Sequence, residues 1–187
     1  EAFGRLNIPV SADGGSGFYE TAEVAAAGAV LWAAVHPGDP LAVAAALRSP
    51  LYGFSDVDLA RWRLCETDTL EYPAEMDGAA AEMEELHERR GEMSPRALLE
   101  EIFRRTQAFE LFLSSFNGER RVANLLKLLD LAFEFAGGGA RGVDEFALHL
   151  KGQLALGREA KEPEEVAAGG GGEEVRRRSM HASKGLV

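Results

Sequence analysis

GERRVANLLKLLDLAFEFA (118–136) carries the densest apolar face of the chain. Val122, Leu125, Leu126, Leu129, Ala132 and Phe133 recur at the spacing of one side of an α-helix, not at the two-residue period of a strand. Such a face has to be covered, so the flanking sequence is expected to supply partner helices. GGGARG (137–142) stops the segment, and Val143 to Leu156 read as a further helix. Upstream, Asn117-Gly118 marks a turn. Ser94-Pro95 is a clean start for a long helix with Leu98, Leu99, Ile102, Phe103, Phe109, Phe112 and Leu113 as candidate core.

The first half repeats the theme. Glu20 to about Val35 is an Ala-rich helix with Val24, Leu31, Trp32 and Val35 available for burial. HPGDP breaks it, and Asp39 followed by Pro40 is a good N-cap for PLAVAAALRS (40–49). In SPLYGFSDVDLARWR (49–63), Ser55 with Asp58 forms a variant capping box ahead of a helix bearing Leu59 and Trp62. EYPAEMDG (71–78) reads as a connector, and AAAEMEELHERRG (79–91) as a solvated helix with few core residues.

The ends differ from the middle. FGRLNIPV (3–10) runs into a small strand, with Ile8 and Val10 flanking Pro9, and SADGGSG (11–17) is turn-rich. EAKEPEEVAAGGGGEE (159–174) is acidic and Gly-rich with almost nothing to bury, as in a flexible linker. VRRRSMH (175–181) has strand character. The expected fold is mainly α. A multi-helix body (18–158) is followed by a linker (159–174) and a return strand (175–187), and the terminal strands belong to something else.

Composition narrows the function. With 20 Lys and Arg against 31 Asp and Glu, the net charge is −11, which argues against an autonomous, tight nucleic-acid binder. Any DNA contact has to be local or supplied by other parts. No apolar run reaches the length of a membrane-spanning helix, and the start at Glu1 suggests a processed or excised chain. The single Cys65 fits a small buried hydrophobe in a reducing cytoplasm.

Most tempting sites are weak. GGSG and GGGARG lack the Lys-Ser/Thr of a phosphate-cradling loop, and His36, His87 and His149 lack ligand spacing. Glu82-Glu84-Glu85 and Glu162-Glu164-Glu165 are solvated acids. Arg104-Arg105 and Arg120-Arg121 sit beside acids on helices, as surface charge or as phosphate contacts. The terminal RRRSMHASKGLV (176–187) is richer. Arg176, Arg177, Arg178 and Lys184 supply charge, Ser179 and Ser183 hydroxyls, and Gly185 close backbone approach. That mixture suits an anion site, and equally a frayed basic tail.

Ser179-Met180-His181-Ala182-Ser183-Lys184-Gly185-Leu186 resembles the T-[IVM]-H-x-[SA]-K-G-L-E segment called motif V in UvrD/RecB-type superfamily 1 DNA helicases, closest to the RecB/AddA helicase-nuclease branch. Three other stretches agree in order. FGRLNIPV with GFYETAEV is similar to the passage after the family's fourth motif. DPLAVAAALRSPLYGFSDVDLARWR resembles its D-x-x-A…L-R-S-P-L-[FY]-G-[LF]-S-D pattern, and RRVANLLKLLDLAFEF its R-R-x-N-L-x-K-L-L pattern. The stretch 66–110 adds little.

The resemblance implies that 18–158 is the accessory insertion (a 2B-type subdomain) of a RecA-like α/β motor domain, with residues 1–17 an edge of that domain. It implies DNA contact or coupling for Ser179 and His181, and proximity to nucleotide for Lys184 and Gly185. Arg176, Arg177 and Arg178 remain possible phosphate contacts. No cofactor is expected in this chain and no catalytic residue; ATP and Mg would serve the parent. The implied partners are DNA, the remaining helicase domains and a partner helicase-nuclease subunit, with no membrane. Val187 departs from the family's acid, which removes a sugar contact, and Arg177 and Arg178 stand at two usually apolar strand positions. The implied role is assistance to duplex engagement and regulation of unwinding in double-strand break repair, the chain itself being inactive. The alternative is a freestanding helical protein-interaction module. No nucleophile–base pair points to an enzyme in its own right.

Overall fold

The computed structural model describes residues 17–64, 73–137 and 141–159, and among these it is predominantly α-helical with no strand. The helices are α1 (Ala22–Val35), α2 (Pro40–Arg48), α3 (Asp56–Leu64), α4 (Glu75–Arg89), α5 (Pro95–Arg105), α6 (Ala108–Leu113), α7 (Gly118–Phe135) and α8 (Val143–Glu159), with one 3-10 turn at Arg90–Glu92. The terminal strands expected at 3–10 and 175–181 lie outside the described residues, as do the linker from residue 160 onward and Cys65.

α1 is the hub, packed against α2, α4, α5, α7 and α8. This explains its uniform Ala-rich composition: a helix surrounded on most sides needs no polar stripe. Val24, Ala27, Val30, Leu31, Ala33 and Ala34 are all fully buried. Small side chains let neighbours come close. A Cβ on Gly28 would run into the end of the Leu154 side chain of α8, so glycine there lets that side chain lie directly on α1. Trp32 is only half-buried, stacked on His36 at 4.0 Å with the Lys151 ammonium 3.7 Å from its ring centre.

The caps form as the sequence predicts. Asp39 accepts from the Leu41 amide at 2.9 Å, and Ser94 Oγ from the Ala97 amide at 3.2 Å, each just before proline. Ser55 and Asp58 bond reciprocally: the Asp58 amide donates to Ser55 Oγ and the Ser55 amide to Asp58 Oδ2, both at 3.2 Å.

Three expectations need correction. α4 starts at Glu75, inside the stretch read as a connector, and it is not simply solvated. Met76, Ala79, Met83 and Leu86 form a buried stripe against α1 and α2 that the surrounding charges obscured. The long helix from Pro95 is broken: Gln107 adopts φ 50, ending α5 and redirecting α6, which sets Phe109 edge-on to Phe103 at 5.5 Å. Glutamine is a good helix former, so no local signal announced the break. Leu113 and Phe133, counted as core, are 54% and 66% exposed; Phe133 lies beneath the Arg96 guanidinium at 5.9 Å.

Candidate functional site

Three of the motif-bearing stretches fall within the described residues, and the fold ties them to one another. In GFYETAEV (17–24), a turn held by the Thr21 hydroxyl donating to the Phe18 carbonyl (2.8 Å) opens α1. The chain enters the helical body there and leaves it alongside: a Cβ on Gly157, near the end of α8, would lie 3.4 Å from both Tyr19 and Glu20 side-chain carbons. Glu23, 3% exposed in the first turn of α1, accepts a 2.6 Å hydrogen bond from the Asn124 amide of α7. A carboxylate at a helix N-terminus is favoured by the helix dipole, and the amide offsets part of its desolvation. RRVANLLKLL and GFYETAEV thus meet through this part-buried polar pair and through Lys127, whose ammonium lies 4.8 Å from the Phe18 ring centre.

LRSPLYGFSD (47–56) folds into a tight corner between α2 and α3. The Ser49 carbonyl accepts from the amides of Tyr52 (3.1 Å) and Gly53 (2.7 Å), and the Phe54 amide returns to the Leu47 carbonyl at 3.1 Å. Arg48 and Asp56 close the corner at 2.7 Å. Tyr52 donates to Glu82 of α4 at 3.2 Å, and its phenol is pushed well above the usual range, first by burial and then by the Glu82 charge. Ser49 Oγ is buried and has no hydrogen-bond partner among the described residues.

The two arginine pairs part company. Arg105 reaches Glu85 of α4 with two bonds of 2.7 and 2.9 Å and donates to Glu101 at 2.8 Å; Arg104 donates twice to Glu101 at 2.8 Å. Bonds from Arg104 and then Arg105 pull the Glu101 carboxyl down to about 2. Arg104-Arg105 is therefore structural. Arg120 makes no ion pair or hydrogen bond through its guanidinium among the described residues, and Arg121 rests 5.9 Å over the buried Phe112 ring. Both line a cleft of about 250 Å³ with Thr21, Ala22, Glu23, Phe116, Asn117 and Asn124. The ring of Phe116 at its rim is 85% exposed. Gly118 fixes this corner, since a Cβ there would strike the backbone of Leu113, and Asn117 precedes it at φ 58.

The three histidines among the described residues have separate structural places. His36 stacks on Trp32, His87 Nδ1 lies 3.2 Å from the Ala34 carbonyl, and His149 stacks on Phe135 at 5.1 Å. Among the described residues no three His, Cys, Asp or Glu gather to hold a metal, and no helix is long and apolar enough to cross a membrane. The residues singled out at the carboxyl end (Arg176, Arg177, Arg178, Ser179, His181, Lys184 and Gly185) lie outside the described residues. Sequence reasoning missed the Glu23–Asn124 pair and the exposed Phe116 ring at the cleft. Only the coincidence of a lone acid on an apolar helix with a lone amide on another hinted at the first.

Along its whole length the chain is homologous to a segment of the A subunit of ATP-dependent helicase/nuclease. It is 31% identical to that protein from Listeria welshimeri over 207 residues, and 28% identical to that from Exiguobacterium sibiricum over 200 residues, both covering 100% of the chain. The match to the Ruminiclostridium cellulolyticum protein is 28% over 201 residues and covers 97% of the chain. The chain spans only 16% to 17% of the length of these relatives. No family model and no solved structure matches it.

Proposed function

We propose that the chain is the helical accessory body, with its junctions, of an ATP-dependent DNA helicase–nuclease that works in double-strand break repair. The carrying observation is the similarity to the helicase/nuclease proteins over the full chain, including every motif-bearing stretch. A second observation supports insertion: the body's two ends emerge side by side at Tyr19 and Gly157, so it can be set into another domain without separating that domain's halves. The body (18–158) then works mechanically, with residues 1–17 and 175–187 belonging to the RecA-like domain it interrupts. Residues 160–174 then connect the body to the second of these segments.

In this role Ser179 and His181 couple strand to motor, and Lys184 and Gly185 approach the nucleotide. Arg176, Arg177 and Arg178 contact phosphates in the same proposal. By the same resemblance, ATP and Mg serve the motor domains of the parent. The parent is a cytoplasmic enzyme whose partners are DNA, the remaining helicase domains and a second helicase-nuclease subunit.

Grafting residues 18–158 in place of the matching segment of the Listeria welshimeri protein tests the role. Retained DNA-dependent ATP hydrolysis and unwinding is the expected result. A folded chimera that hydrolyses ATP but cannot unwind would sink the proposal, as would DNA-stimulated turnover by the 187-residue chain alone.

A further inference from the structure

We propose that the cleft of Phe116, Arg120, Arg121 and Asn124 contacts one phosphodiester and its adjoining base in a nucleic-acid strand. The contact gives the helical body its own hold on the polymer, and it rests on the proposed role only for the kind of polymer concerned. Four observations carry it. First, Arg120 and Arg121 stand in the first turn and a half of α7, where positive charge opposes the helix dipole. Helix stability does not explain them there. Second, neither guanidinium is engaged by a carboxylate among the described residues, whereas Arg48, Arg90, Arg96, Arg104 and Arg105 all are. Third, Phe116 holds a ring 85% exposed at the rim of the same cleft, an arrangement that suits stacking on a base face. Fourth, Arg121 is held over the buried Phe112 ring, so its guanidinium is oriented before any ligand arrives.

The lining decides between a strand and a peptide. Apart from Phe116 and Ala22 its residues are polar or charged, a lining that favours a phosphate-bearing strand over the apolar anchor side chain of a protein partner. Glu23, the one carboxylate in the lining, is 3% exposed and accepts from Asn124; its charge opposes an anion in the cleft and lowers the affinity of the contact. With a net charge of −11 the contact is weak and sensitive to salt, a local hold and not a tight site.

The test is fluorescence anisotropy of a labelled oligothymidylate with the 187-residue chain in which Arg176, Arg177, Arg178 and Lys184 are alanine, so that the terminal basic residues contribute nothing. Binding at low salt is expected, with log affinity falling linearly against log salt. Arg120→Ala should flatten that slope by about 0.7, the value for one phosphate contact on a single strand. Phe116→Ala should weaken binding roughly tenfold with the slope unchanged. Both side chains are at the surface, and circular dichroism verifies the fold of each variant. No binding at low salt overturns the proposal, as does binding that neither variant alters. Equal competition by polyglutamate would instead make the cleft a surface for acidic protein. A failed graft alongside intact oligonucleotide binding would remove the helicase role and leave this contact standing.

Discussion

Arg104-Arg105 and Arg120-Arg121 are the same dipeptide on two helices of one chain, yet one holds the fold together and the other does not. At the end of α5 the pair favours the helix dipole, Arg104 bonding to Glu101 of its own helix and Arg105 reaching Glu85 of α4 as well. At the start of α7 it faces a cleft and opposes the dipole. Chemical type was equal, so position relative to helix ends and to neighbouring acids made the difference. A doubled arginine is informative about function only once its carboxylate partners have been counted.

The corner that presents the second pair gives the largest expected effect. Gly118→Ala places a methyl group against the Leu113 backbone, which cannot rotate away as a side chain could. A loss of about 3 kcal/mol in urea denaturation is expected, at the upper end for overpacking. A cost below about 1 kcal/mol would show that the α6–α7 corner shifts easily, and would weaken the case for a fixed cleft.

Exchanging the two pairs for alanine sharpens the contrast next. Arg105→Ala removes a bidentate link between α4 and α5 from a side chain only 13% exposed, and should cost about 1–2 kcal/mol. Arg120→Ala should leave the denaturation midpoint where it was. Equal losses from the two variants would show that Arg120 has a structural partner and would remove the distinction.

Acid titration reads the same network with a smaller amplitude. Glu101 titrates at about 2 in the folded protein, against an ordinary 4.5, chiefly through the Arg104 bond and then the Arg105 bond. A depressed folded value means its stabilisation is complete above about 4.5 and disappears as the pH falls toward about 2. Solvent screening limits the contribution to about 1 kcal/mol. Glu101→Gln should therefore flatten the decline of the urea midpoint between those pH values. An unchanged slope would place the acid sensitivity elsewhere.

How much of this was legible depends on how local its cause is. Caps were legible because Asp39-Pro40, Ser94-Pro95 and Ser55…Asp58 act within one turn of helix. The apolar stripe of α7 was legible except where Phe133 emerges under Arg96, a contact with another helix. α4 was misjudged because its many charges drew attention from Met76, Met83 and Leu86, which share one face. The site followed the same rule: Glu23 and Asn124 are 101 positions apart, and only the crossing of α1 and α7 makes them a pair.

Gln107 tests that rule where the effect is smallest. It occupies φ 50 between α5 and α6, a conformation that costs a residue with a Cβ about 1 kcal/mol, and nothing in its side chain pointed to a break. The redirection instead follows from packing: Phe112 is buried and Phe109 meets Phe103 only if the chain turns here. If tertiary packing imposes the turn on an unwilling residue, Gln107→Gly should relieve the strain and raise stability by a few tenths to about 1 kcal/mol, less the added entropy of the unfolded chain. Gln107→Pro is incompatible with positive φ and should be destabilising. A glycine variant less stable than the parent would mean that glutamine contributes interactions here exceeding the cost of its backbone. The α5–α6 break would then be a local property of the sequence after all.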